Sequence, residues 1–208
     1  MPSRNILRQE LDGGFYHVYA RGASKKAICL DETDRQKFIN LFARYLSAQR
    51  AVSKTGELYP NYHGRVRLLA FCLMGNHFHL FVWQQSQGDL SVFMRSVMTS
   101  YVRYFNLRHR QSGSLFESRF KASLIYDDAY LVHISRYIHL NPRSWKHYPY
   151  SSIGYYRKGG EPDWLETSVV LERFAGRSAY LQFLYDYEDY KSMFDEIKYD
   201  LADGLENR

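Results

Sequence analysis

The chain has 208 residues, of which 45% are hydrophobic and 24% charged, enough for one domain with a sizeable core and too apolar for a disordered chain. No stretch approaches the roughly 18 apolar residues of a membrane span. The opening MPSRNILRQELDGG lacks the apolar run of a signal peptide, and two cysteines, Cys29 and Cys72, are too few for a disulfide framework, so a reduced, cytoplasmic setting is expected.

The net charge is +6, and its distribution is uneven. From Ser178 onward 8 acidic residues stand against 3 basic ones, so the first 177 residues carry +11. Aromatic residues make up 17%, with 19 tyrosines. A basic body interleaved with aromatic rings suits single-stranded nucleic acid, whose bases stack and whose phosphates need cations. The same composition also describes a tyrosine-rich core beneath a solvated basic face.

In chain order, GFYHVYA (14–20) is β-prone and is ended by Arg21-Gly22. Asp31 and Thr33 are candidate caps for a helix from about 32 to 50, in which Phe38, Leu41, Phe42, Tyr45 and Leu46 recur at helical spacing. SKTGELYPNYHG (53–64) is a loop. VRLLAFCLM (66–74) is a buried strand, Gly75-Asn76 a hairpin turn, and HFHLFVW (77–83) its partner strand. A helix follows from about 89 to 109, with a stripe of Leu90, Phe93, Val97, Tyr101, Tyr104 and Phe105. FKASLIY (120–126) is a fourth strand. Asp127-Asp128 starts a helix that Asn141-Pro142 stops, residues 143–165 are rich in loop, and a last amphipathic helix spans about 178 to 196. The order β-α-β-β-α-β predicts an α+β fold. It would be a ferredoxin-like (RRM-like) antiparallel sheet with two helices on one face and additional C-terminal helices. A main unit of 1–158 and an extension of 159–208 are expected, the latter carrying the acidic helix.

His77-Phe78-His79 is the sharpest local feature. On a strand, residues two apart share a face, so both imidazoles project together while Phe78, Leu80 and Val82 point into the core. Two imidazoles on a rigid strand make half of a metal site, and a third ligand has to come from elsewhere. The pair is equally compatible with two ordinary strand histidines. Tyr137 and Asn141 lie four residues apart on the expected helix 128–141, hence on one face one turn apart. Spacing alone does not separate Tyr137 from Tyr126 or Tyr130.

LLAFCLMGNHFHLFV resembles the strand, turn and HUH signature of the single-strand tyrosine transposases. SLFESRFKASLI and YLVHISRYIHLNP resemble two further signatures of their REP-associated branch. YHVYARG resembles that branch's opening strand, with Ala20 where Asn is common. The resemblance spans roughly residues 14 to 155 and says little of 160–208. It implies a catalytic tyrosine at Tyr137 and a divalent metal, Mg²⁺ or Mn²⁺, held by His77, His79 and Asn141. At the last position insertion-sequence relatives often have Gln. It further implies cleavage of single-stranded DNA beside a hairpin through a 5′-phosphotyrosine, by a monomer or homodimer.

For DNA contacts the expected residues are Arg119 and Lys121, leading to the tyrosine helix, and Arg4, Arg8 and Arg21 near the N-terminus. Two other functions remain open on the residues alone. One is a hairpin-binding protein with an unused site. The other is a zinc protein or hydrolase that adds His17 or His63 to the histidine pair. An acidic tail docked on the basic DNA groove, as an autoinhibitor, is an expectation for the last helix.

Overall fold

The computed structural model describes residues 10–186. The expectations for Arg4, Arg8 and the acidic stretch after 186 lie outside these residues.

Strand β1 (Phe15–Arg21) is followed by helix α1 (Glu32–Leu46), then by strands β2 (Val66–Leu73) and β3 (His77–Gln84). Helix α2 (Asp89–His109), strand β4 (Lys121–Ile125) and helix α3 (Asp128–Leu140) complete the main unit. Helices α4 (Ile153–Lys158), α5 (Ser168–Leu171) and α6 (Arg177–Tyr185) follow. The fold class is α+β. The four strands form one sheet in the order β2-β3-β1-β4, with every neighbouring pair antiparallel.

Side-chain alternation divides the sheet into two faces. Tyr16, Val18 and Ala20 of β1, with Phe78, Leu80 and Val82 of β3, point to one face. There they bury against Phe38, Leu41, Phe42 and Tyr45 of α1 and Phe93, Val97, Tyr101 and Phe105 of α2. Each such side chain contributes about 1.5–3 kcal/mol on leaving water, so this layer carries much of the stability. On the opposite face Phe81 packs with Ile125 and with Leu131, Ile134 and Ile138 of α3.

The helices start where the capping residues predict. Asp31 accepts from Asp34 N at 3.0 Å and Asp127 accepts from Tyr130 N at 2.6 Å, each satisfying an amide that the first turn leaves without an intrahelical partner. Helix α1 ends at Leu46 rather than near 50. Ser47 is extended, its carbonyl accepts from Asn61 Nδ2 at 2.8 Å, and Ala48 N donates to Asp163 Oδ2 at 2.8 Å. These tertiary bonds replace the last expected turn.

The β2–β3 turn is the two-residue one expected, closed by Met74 N donating to His77 O at 2.9 Å. Neither Gly75 nor Asn76 has the positive φ of the mirror-image hairpin turns. Contacts from the stretch after β1 hold it instead: Ile28 N donates to Gly75 O at 2.8 Å and Gly22 N to Asn76 O at 2.8 Å.

The segment after α3, expected as loop, covers the free edge of β2. Leu73 N donates to Tyr150 O, Ser152 N to Phe71 O and Glu166 N to Leu68 O, each at 2.9 Å. An edge so paired is closed to other strands. Helix α6 packs on the back of α3 through a buried chain of polar groups. The His139 ring lies between Tyr180 Oη, 2.6 Å from Nδ1, and Ser152 Oγ, 2.7 Å from Nε2. Tyr180 Oη donates onward to Ser135 Oγ at 3.1 Å. The α3 helix is therefore clamped between the sheet and the C-terminal elements. No helix among the described residues is long and apolar enough to cross a membrane.

Candidate active site

The α3 face of the sheet gathers the polar residues. The register sets Arg21 opposite His77, Tyr19 opposite His79 and, on the other side of β1, Tyr19 opposite Lys121. Lys121, Tyr19 and His79 therefore form a row across three strands, with Arg21 and His77 in the next row. Lys121 Nζ lies 6.0 Å from the centre of the Tyr19 ring.

Helix α3 lays Tyr137 against this surface. Its ring stands edge-on to His79, with centroids 5.2 Å apart and an interplanar angle of 82°. It also meets His17 edge-on, at 5.7 Å. The His77 and His79 rings are 5.1 Å apart. One turn after Tyr137, at the end of α3, Asn141 places its Oδ1 3.2 Å from His77 Nε2. Two strand histidines, a helix tyrosine and a helix-end amide thus converge from two distant parts of the chain, β3 and α3.

The rest of the expected set is more dispersed. Arg21 lies beside the histidines, half-buried, and Lys121 is half-buried on β4. Arg119 is exposed and precedes β4 rather than lying on it. His63 sits at the far end of the β2–β3 ladder, its Nδ1 2.8 Å from Leu46 O. His17 does reach the site, but its Nε2 is engaged with His79 Nδ1 at 2.9 Å. Among the described residues no three histidine, cysteine, aspartate or glutamate side chains gather as a metal site; the donors brought together are two imidazoles and an amide oxygen.

Electrostatics prepare those donors. Burial lowers the proton affinity of both His77 and His79, and the Arg21 charge lowers it further. Both rings are therefore neutral near pH 7, with a lone pair to offer. His77 lies between two amide oxygens, Asn76 Oδ1 at 2.6 Å from Nδ1 and Asn141 Oδ1 at 3.2 Å from Nε2. A neutral imidazole carries one N–H, which serves the shorter contact. The Nε2 lone pair then faces the lone pairs of Asn141 Oδ1, an arrangement that a cation between them would satisfy. The residues present fit a divalent ion with open positions. Burial also acts on the tyrosine, pushing the Tyr137 phenol up to about 12.

The sequence suggests His17 only as an alternative zinc ligand and Asn76 only as a turn residue; neither is expected from it as a support of the pair. Their signal is positional. His17 shares the alternation of Tyr19 and Arg21, and Asn76 immediately precedes the first ligand candidate, but only the strand register shows which groups they meet.

Residues 60–141 match the family model described as "Transposase IS200 like". That stretch runs from the loop before β2 to Asn141 and so contains His77, His79 and Tyr137. Among solved structures, a REP-associated tyrosine transposase bound to a REP hairpin is similar with a TM-score of 0.51 and 16% sequence identity, over 76% of this chain and 87% of that chain. No curated protein matches the chain significantly in sequence. Residues 60–141 are thus similar to IS200-like transposases, and the chain is similar in fold, over 76% of its length, to a REP-associated tyrosine transposase.

Proposed function

We propose that the protein is a metal-dependent single-strand DNA endonuclease and strand transferase that works through a 5′-phosphotyrosine, on DNA hairpins of repetitive palindromic elements. The observation that carries this reading is the edge-on approach of the Tyr137 ring to His79, beside a His77–Asn141 pair suited to a cation. The similar structure holds a REP hairpin, and the basic body of this chain suits the same kind of partner.

In this reading Tyr137 Oη attacks the scissile phosphorus. The Tyr–O–P bond forms as the P–O3′ bond breaks, and the departing oxygen takes a proton to become a free 3′-hydroxyl. The phosphate remains on the tyrosine, joined to the downstream strand through its 5′ oxygen. Attack by another 3′-hydroxyl reverses the step and rejoins DNA without a nucleotide cofactor. His77, His79 and Asn141 would hold Mg²⁺ or Mn²⁺, which would supply charge neutralisation and orientation of a phosphate oxygen. The raised proton affinity of Tyr137 means that its phenol needs positive charge nearby to ionise. Lys121 and Arg119, with the N-terminal Arg4 and Arg8, contact phosphates along the strand. Residues 1–158 carry the chemistry, and within the extension 159–208 Tyr180 of α6 braces the tyrosine helix.

The test is cleavage of a single-stranded hairpin with a flanking tail in Mn²⁺. A 3′-end label is expected to travel with the protein on a denaturing gel, while a 5′-end label is released on a shorter strand. Hairpin binding with no cleavage in the wild type, under Mg²⁺ and Mn²⁺ alike, would favour a non-cleaving hairpin-binding protein instead.

A further inference from the structure

We propose that His17 is a positioning residue for His79, accepting the proton of His79 Nδ1 so that the ring turns Nε2 towards a divalent cation. The inference rests on the reading of the site as metal-dependent. Its basis is geometric. His17 Nε2 and His79 Nδ1 are 2.9 Å apart, and the two rings are only 21° from parallel with centroids 5.1 Å apart. The N···N line takes up most of the separation that the ring radii leave, so the rings meet edge to edge in a hydrogen bond rather than by stacking face to face. His17 is 1% exposed and His79 5% exposed, so water cannot readily replace either partner.

One proton lies between these two nitrogens when both rings are neutral. If His79 donates it, Nε2 carries a lone pair; if His17 donates it, His79 holds its own proton on Nε2 and cannot bind a cation. The neighbouring ligand shows which arrangement the site is built for. His77 Nδ1 lies 2.6 Å from Asn76 Oδ1, an oxygen that can only accept, and its Nε2 faces Asn141. Both histidines are therefore gripped at Nδ1 and have Nε2 left over, His77 by an amide oxygen and His79 by an imidazole. Metal-binding histidines in general owe their orientation to such a bond at the second nitrogen. Strand pairing makes the grip rigid: Tyr19 is paired with His79 and His17 with Phe81, which puts His17 on the same face one row along.

Two substitutions separate an acceptor from a space-filling ring. His17→Phe keeps the ring shape and removes the acceptor; His17→Gln keeps an acceptor oxygen. Mn²⁺ binding to the DNA-free full chain, measured by calorimetry, is expected to weaken about 10–100-fold in His17→Phe and to stay near wild type in His17→Gln, with circular dichroism unchanged in both. Nitrogen NMR of the Mg²⁺-bound wild type is expected to show the His79 proton on Nδ1, which needs no variant to fold. Wild-type affinity in His17→Phe, equal losses in His17→Phe and His17→Gln, or a proton on His79 Nε2 would each overturn the proposal. The His79→Ala variant keeps its failure distinct from that of the parent reading. If the wild type binds Mn²⁺ and His79→Ala does not, the metal site stands whatever His17 does; a wild type that binds no Mn²⁺ overturns both.

Discussion

Tyr137 and His79 meet edge to face, 5.2 Å between ring centres, although one lies on a helix and the other on a central strand. The contact holds because the helix is fixed on both sides. Ile134 and Ile138 pack it onto the sheet, and His139 ties its far side to Tyr180 and Ser152. Tyr137 and the histidine strand can then keep one geometry within a single chain.

The Tyr180 clamp gives the first prediction. Tyr180 Oη serves His139 and Ser135 in a fully buried setting. Tyr180→Phe takes the hydroxyl from both; Ser135 keeps its bond to Val132 O, and the His139 Nδ1 left unpartnered costs about 1–3 kcal/mol. Thermal unfolding should show a Tm lower by about 2–4 °C for each kcal/mol lost. An unchanged Tm would mean that the network does not brace α3.

Gly22 ends β1 next to Arg21 in a place that a side chain cannot share. A Cβ there would meet Lys26 O at 2.1 Å and the Ile28 Cγ2 at 3.0 Å. Because the closer atom is backbone, relief requires the 22–28 stretch to move, and with it the amides that hold the Gly75-Asn76 turn. Gly22→Ala is expected to cost about 1–3 kcal/mol and to weaken Mn²⁺ binding by displacing His77. Chemical denaturation and calorimetry check the two effects.

Buried neutral histidines make stability depend on pH. Burial pushes His17 and His139 down to about 3 and holds His79 well below its ordinary value near 6.5. Below 6.5 the unfolded chain takes up protons on these rings and the folded chain does not. Stability therefore rises with pH across the window from about 3 to 6.5 and is lost as pH falls through it, by up to about 1.4 kcal/mol per pH unit for each ring. Denaturant unfolding of the metal-free protein at pH 7.5, 6 and 5 should show this fall. His139→Gln is expected to lower stability at pH 7.5 but to flatten the slope.

Lys121 flanks Tyr19 and His79 in one row of the sheet, and Arg21 lies opposite His77. If both contact phosphates, Lys121→Ala and Arg21→Ala should each weaken hairpin binding for every sequence alike, and each should reduce the salt dependence of log K by about one unit of slope. Fluorescence anisotropy at several salt concentrations measures it; an unchanged slope would remove that residue from the DNA path.

Much of this was legible in the residues. The Gly75-Asn76 turn and the β-prone run HFHLFVW give the strand, and its period of two then puts His77 and His79 on a common face. The stripe of α2 and the acidic caps of α1 and α3 are equally local signals. What stayed hidden depends on distant partners. Helix α1 stops at Leu46 because Asn61 and Asp163 capture the chain beyond it. Helices α4 and α5 are too short for periodicity to show. Spacing left Tyr126, Tyr130 and Tyr137 as alternatives, and it took the packing of α3 to put the Tyr137 ring on His79. The grip of His17 on His79 likewise exists only through the β1–β3 register.

The most direct measurement is peptide mass mapping of the covalent species formed when the wild-type protein meets a single-stranded hairpin substrate in Mn²⁺. The account predicts a nucleotide-modified peptide with the phosphate ester on Tyr137, and no such species in Tyr137→Phe, although that variant still binds the hairpin. A modified peptide centred on Tyr126 or Tyr130, or the same yield of adduct from Tyr137→Phe, would contradict it.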